Sequence, residues 1–172
     1  MELDRERIEE AVRAVADRLG GEWLLIGGAL VALWIEARRT TEDVDFVPIG
    51  GVENPRLALL DFAHDLGLPV EALNSAADFF VGRIAGWRDE IEVLHRGARG
   101  TIYRPSATLF LLLKIGRLSA RDFADCEALL AKAAAESLPI DSARVRRALD
   151  ALPPAEHRAT ASRRTRLRAR LP

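Results

Sequence analysis

Two aspartates stand in the run Asp43-Val44-Asp45-Phe46-Val47, where polar and apolar residues alternate with the period of a β-strand. Alternate side chains of a strand share one face, so both carboxylates can reach the same cation. Mg²⁺ takes oxygen ligands and keeps positions for water and substrate phosphates, and such a pair often begins its site. A third carboxylate on a neighbouring strand would hold a second ion, one that activates an attacking hydroxyl. Glu92, flanked by Ile91 and Val93, has the pattern for this role, and Glu90 shares its parity, so spacing alone leaves both open. Upstream, Gly27 and Gly28 separate a short apolar run from a helical one. Without side chains there, backbone N–H groups and the positive end of the helix approach phosphate oxygens closely. Together, a glycine turn and an acidic strand suit phosphoryl or nucleotidyl transfer, whereas each alone is better read as a plain tight turn or a solvated strand face.

Lys114 is one of 2 lysines beside 23 arginines and lies in the apolar run Leu111-Leu112-Leu113-Lys114-Ile115. A compact ammonium there would neutralise a triphosphate, and Arg117, three positions on, would add charge from the same helix face. A lysine snorkelling from an amphipathic helix fits the same pattern. His64, His95 and His157 are scattered without metal-ligand spacing, Ser106 and Ser119 occupy helix-cap positions, and Trp23, Trp34 and Trp87 read as packing residues.

Apolar spacing gives the elements that carry these groups. Leu3, Ile8, Val12, Val15 and Leu19 mark an amphipathic helix stopped by Gly20-Gly21, followed by a buried strand over 23–26 and a helix over 29–37. The acidic strand spans 43–47 and ends at Pro48, and a helix covers 55–66. Runs at 79–85 and 90–94 flank Gly86-Trp87-Arg88-Asp89 as a hairpin, with a further short strand at Ile102 and Tyr103. Pro105 has the place of a first-turn proline in a helix reaching residue 118, Ser119 and Asp122 form a capping box for a helix over 120–135, and Asp141 opens a last helix to about residue 152. The expected fold class is α/β (α+β): a mixed-sheet core with flanking helices over 1–103, a short C-terminal helical segment over 104–152 packed on it, and a flexible Arg-rich tail over 153–172.

At 172 residues, with 49% hydrophobic and 30% charged side chains, the chain has the length and composition of one globular domain of ordinary size or of a small core domain with an appended helical segment. The longest apolar stretch, 27–35, is far short of the ~20 residues a membrane span needs. The first 18 residues lack the long apolar run of a secretory signal, and the single cysteine, Cys126, makes neither an intrachain disulfide nor a cysteine metal cluster. These features predict a cytoplasmic protein that does not meet a membrane. Charge is uneven: residues 1–143 hold 16 basic and 24 acidic side chains, residues 144–172 hold 9 and 2. The C-terminal arginines suit a polyanion such as RNA, or a solvated chain end.

The run Leu25-Ile26-Gly27-Gly28, a helix, then Asp43-Val44-Asp45-Phe46 resembles the glycine turn and Asp-h-Asp of the nucleotidyltransferase superfamily with the minimal polymerase-beta-like fold, h being apolar. Arg39-x-Thr41-x-Asp43-Val44-Asp45 is similar to the Arg-x-Thr-x-Asp-h-Asp of its AbiEii/MenT-like toxin branch, and Leu113-Lys114-Ile115-Gly116-Arg117 with Arg121-Asp122 and Asp125 resembles that branch's lysine helix and its continuation. The resemblance spans residues ~20–130. It implies an Mg²⁺-dependent transfer of NMP from an NTP to a hydroxyl, with one or two ions on Asp43, Asp45 and Glu92, the last chosen because the family's acid precedes an apolar pair, here Val93-Leu94. Gly27, Gly28, Arg39, Thr41, Lys114 and Arg117 would serve the nucleotide and its phosphates. The implied acceptor is the 3′ end of a tRNA or other RNA, with protein or small-molecule hydroxyls as alternatives, and the implied setting is a toxin–antitoxin pair with a cognate partner. This chain departs from the family in three ways: Gly28 replaces a common serine, Glu92 an aspartate, and the helical part is short. The rival expectation is therefore a degenerate site in a binding or antitoxin-like protein, and a third is an RNA-binding adaptor driven by the tail.

Overall fold

The computed structural model describes residues 2–75 and 78–172, with Asp78 by its backbone only. Among these residues the chain forms eight α-helices and one mixed five-stranded sheet, divided into two compact units, Met1–Pro105 and Ser106–Pro172. No helix among the described residues is long and apolar enough to cross a membrane.

The first unit opens with α1 (Arg5–Ala14), capped by the Asp4 carboxylate on Arg7 N–H and prolonged by a π-helical turn, Val15–Leu19. Left-handed Gly20 and Gly21 then turn the chain into β1 (Gly21–Ile26). This is the central strand, and Trp23 through Ile26 are all buried, so both of its faces are covered. Trp23 meets Phe46 edge to face at 6.0 Å, and its indole N–H donates to the Gly20 carbonyl at 2.7 Å. Each such fully buried side chain contributes roughly 1.5–3 kcal/mol. The helical segment after β1 begins as α2 (Gly27–Leu30) and continues as a π-helical turn, Val31–Ile35.

Next, β2 (Val44–Gly50) pairs antiparallel with β1, and the short β3 (Leu73–Asn74), reached through α3 (Pro55–Asp65), pairs parallel with its first two residues. β2 thus starts after Asp43 and runs through Pro48 instead of ending there. β3 pairs only with Val44 and Asp45, so β2 is an edge of the sheet at Pro48, where proline is tolerated. The sheet order is β3-β2-β1-β5-β4, with β4 (Ile91–Arg96) antiparallel to β5 (Gly100–Pro105) and β5 parallel to β1.

The hairpin is therefore β4–β5, turning at residues 97–99, and not at residues 86–89. Phe79 and Phe80, expected in a strand, lie exposed in and after the start of α4 (Asp78–Val81), and left-handed Gly86 leads into a 3₁₀ turn, Trp87–Glu90. The true turn is tied to the first helix: Ala98 N–H donates to the Asp17 carboxylate at 2.8 Å and Arg99 N–H to the Ala16 carbonyl at 3.1 Å. Gly97 is required there, since a Cβ would lie 2.5 Å from Ala16.

The second unit is helical: α5 (Ala107–Ile115), α6 (Ala120–Glu136), α7 (Ser142–Asp150) and α8 (Arg158–Arg170). Pro105 closes β5, and Ser106 caps α5 by accepting from Leu109 N–H. Ser119 and Asp122 form the complete capping box of α6. The segment expected to be a flexible tail is α8, whose Leu167 and the following Leu171 are buried. Its arginines bond inward: Arg163 donates to the Leu118 carbonyl at 2.7 Å and Arg164 to the Pro153 carbonyl at 2.6 Å, while Arg166 and Arg170 both pair with Glu127. Arginine is also a good helix former, so the same residues favour the helix and fasten it.

Candidate functional site

The site of the first unit is built where β1 ends against the start of β2. The pairing sets Ile26 opposite Asp45, so the glycine turn that follows Ile26 lies beside that carboxylate. The fit is close: a Cβ on Gly27 would fall 2.2 Å from Asp45 Oδ2. Gly27 also adopts φ +71, a left-handed conformation that side chains disfavour. Gly28 has an ordinary backbone but the same restriction, because a Cβ there would lie 2.6 Å from Thr41 Oγ1 and 3.0 Å from Thr41 Cβ. This explains the glycine where the resembled family often has serine: in this chain the threonine fills the space.

Thr41 is buried and held by two backbone bonds to Leu3, which sits just before the first helix. Its hydroxyl donates to Asp43 Oδ1 at 3.1 Å and so orients that carboxylate. Asp43 and Asp45 both line a cavity of about 1170 Å³, whose lining also includes Arg56 and Leu57 of α3. Glu71 and Asn74 complete its polar lining, Asn74 standing in register beside Asp45 on β3. The sequence singles out neither residue: Asn74 lies in a two-residue strand, which carries no periodicity, and Glu71 in the turn before it. Three carboxylates and one guanidinium leave the cavity acidic, so a triphosphate would enter only with a compensating cation. The donors are hard oxygens, which suits Mg²⁺, an ion that takes one or two protein carboxylates and completes its shell with water and phosphate. Among the described residues, no group of three or more histidine, cysteine, aspartate or glutamate side chains forms a metal cage.

Glu92 does not join this pair. β2 is flanked by β1 and β3, and two strands separate it from β4, so Glu92 lies ~14 Å away in the sheet at ~4.8 Å per spacing. It also points to the other face: Val93, Tyr103, Leu24 and Val47 form one row, which shares its face with Asp45, and Glu92 is one residue out of step. Its carboxylate pairs with Arg104, whose guanidinium stacks 4.2 Å over Trp34. Glu90 is in the 3₁₀ turn before β4 and likewise not on a strand next to β2. Arg39 is half-buried in the turn that leads to Thr41, its backbone N–H on the Glu36 carbonyl.

Lys114 and Arg117 have partners other than the expected phosphates. In the second unit Lys114 Nζ contacts Asp122 Oδ1 at 3.2 Å and Asp125 Oδ2 at 2.9 Å, and Arg117 grips Asp122 through two bonds of 2.8 and 3.0 Å. Two cations and two carboxylates thus balance within the α5–α6 corner. Burial alone would push the Asp122 carboxyl up, but bonds from Arg117 and Ser119 and the Lys114 charge outweigh it and hold the group well below the usual carboxylate range. Cys126 nearby is inert: burial pushes its thiol up to about 12.

No protein-family model, curated protein or solved structure matches this chain.

Gly28→Ala should lower stability by about 1–3 kcal/mol through overpacking against Thr41, and Thr41→Ala in the same chain should recover part of the loss; urea unfolding of the single and double variants measures both. Asp122→Asn should destabilise the protein at neutral pH. Because the folded carboxyl titrates below its unfolded value, the difference from wild type should persist above about pH 4 and shrink only as the pH falls further; urea midpoints between pH 2.5 and 7 give this profile.

Proposed function

We propose that the chain is an Mg²⁺-dependent nucleotidyltransferase that moves NMP from an NTP to a hydroxyl acceptor and releases pyrophosphate. The observation that supports this best is the placement of Asp43 and Asp45 on one acidic cavity, with the Gly27-Gly28 turn against Asp45. Asp43 and Asp45 would hold the ion, with the amide of Asn74 beside them. Magnesium, when bound, supplies the charge compensation that a triphosphate and its departing pyrophosphate need. Thr41 fixes the direction of Asp43, and backbone N–H groups at the start of the helical segment would attract phosphate oxygens. In the transfer, the acceptor oxygen forms a bond to the α-phosphorus and gives its proton to water, and the bond to the pyrophosphate oxygen breaks so that pyrophosphate leaves.

The resemblance to the AbiEii/MenT-like branch favours an RNA 3′ end as acceptor, a toxin–antitoxin setting and a cytoplasmic site of action. The second reading is a degenerate fold member that binds a partner protein. It is favoured by the position of Glu92, which leaves the aspartate pair without the expected third acid. Incubation with each α-labelled NTP, Mg²⁺ and total RNA separates the two. Wild type should transfer label, and Asp45→Asn should lose at least about 100-fold of the rate with its fold intact. Undiminished transfer by that variant contradicts the metal assignment, and no transfer by wild type favours the partner-binding reading.

A further inference from the structure

The second unit carries 13 basic and 7 acidic side chains, the first 12 and 19. The excess is concentrated in α7 and α8, where residues 144–172 hold nine arginines against Asp150 and Glu156. How these arginines are bonded decides what remains of their charge. Arg146 donates to the carbonyls of Leu171 and Pro172, Arg163 to that of Leu118, and Arg164 to that of Pro153. A carbonyl fixes a guanidinium in place without cancelling its charge. Arg166 and Arg170 share the single carboxylate of Glu127, and Arg166 also stacks 4.6 Å over Phe123. Arg168 pairs with Asp150 and also reaches the Arg146 carbonyl. The side chains of Arg166, Arg168 and Arg170 are nevertheless 56%, 45% and 51% exposed.

Elsewhere in the unit, charges cancel: Lys114 and Arg117 balance Asp122 and Asp125, and Lys132 pairs with Glu136. What remains is a helix whose outward flanks present arginines that are ordered, under-compensated and half open to solvent. We propose that α8, with the adjoining α7 arginines, is a binding surface for the phosphodiester backbone of a nucleic acid. Anchored guanidinium groups lose less freedom on meeting phosphate than free side chains would, and each fork matches two phosphate oxygens. Contact through the backbone carries no sequence preference. Binding there requires neither NTP nor metal.

Fluorescence anisotropy of the full chain with a fluorescein-labelled 20-nucleotide single-stranded RNA, and with a 20-base-pair duplex DNA, tests this without NTP or Mg²⁺ across a KCl series. Binding that weakens linearly in log–log form is expected, and the RNA slope should fall by about 1.4 in Arg166→Gln/Arg168→Gln, two phosphate contacts being removed. Glu127→Gln should bind a few-fold tighter, since it frees the shared charge of Arg166 and Arg170. This second variant keeps the test decisive if the double variant fails to fold. Binding to either polymer with this response supports the proposal and shows which one is taken. No binding at 50 mM KCl, or binding that Glu127→Gln leaves unchanged, overturns it, and neither result bears on nucleotidyl transfer.

Discussion

The first unit depends on the contact between a bare backbone turn and a carboxylate. The antiparallel pairing that sets Ile26 against Asp45 brings the Gly27 Cα so near Asp45 Oδ2 that no side chain fits between them. One residue on, Gly28 meets Thr41 with the same restriction, and Thr41 is pinned by Leu3 while it orients Asp43. Leu3, Ile26, Gly27, Gly28, Thr41, Asp43 and Asp45 are thus tied together by this pairing and the contacts of Thr41. A slip of one residue would turn Asp45 to the other face and break the arrangement. The geometry also accounts for the composition of the cavity: with Asp43, Asp45 and Glu71 on its lining, it suits a polyanion only in company with a cation.

The second unit uses charge where the first uses close backbone approach. Its α5–α6 corner places Leu118 at φ 41, a conformation costing roughly 1 kcal/mol or more for a residue with a side chain. The corner is held by Lys114, Arg117, Ser119, Asp122 and Asp125 on one side and by the Arg163 bond to the Leu118 carbonyl on the other. Asp122 and Asp125 are buried and Lys114 nearly so, whereas Arg117 is exposed; buried charges are expensive to desolvate, but removing one partner is worse, because it strands the other. The cluster is therefore read as the fastening of two helices. α8 extends the same device, docking through Leu167, Leu171 and arginine bonds to carbonyl oxygens.

The sequence makes some of this legible and hides the rest for physical reasons. The shared cavity of Asp43 and Asp45 agrees with their spacing of two, although Asp43 stands just before β2 and is oriented by Thr41, and the caps at Ser106 and Ser119 follow from residue type and spacing. Glu92 misled because alternation sets faces within a strand and says nothing about which strand lies next to which; here β1 and β5 come between. Local pattern does not distinguish the hairpin turn from Gly86, because two glycine-marked turns flank β4, and the contact of Gly97 with Ala16, 81 residues away, is a tertiary fact. Lys114 lies 8 and 11 positions from its carboxylates, across a helix corner whose geometry no periodicity reveals. α8 read as a charged tail because its docking bonds run from arginine to main-chain oxygen, and every residue offers the same acceptor. Asn74 gains its place only from a two-residue parallel pairing.

The central claim is that the glycine turn and the two aspartates form a cation-dependent nucleotide site. Isothermal titration of an NTP into the full chain, with Mg²⁺ or with EDTA, tests it most directly, comparing wild type with Asp43→Asn/Asp45→Asn. The account predicts binding by wild type only when Mg²⁺ is present and none by the double variant. Binding of equal strength in EDTA, or by the folded double variant, would contradict it.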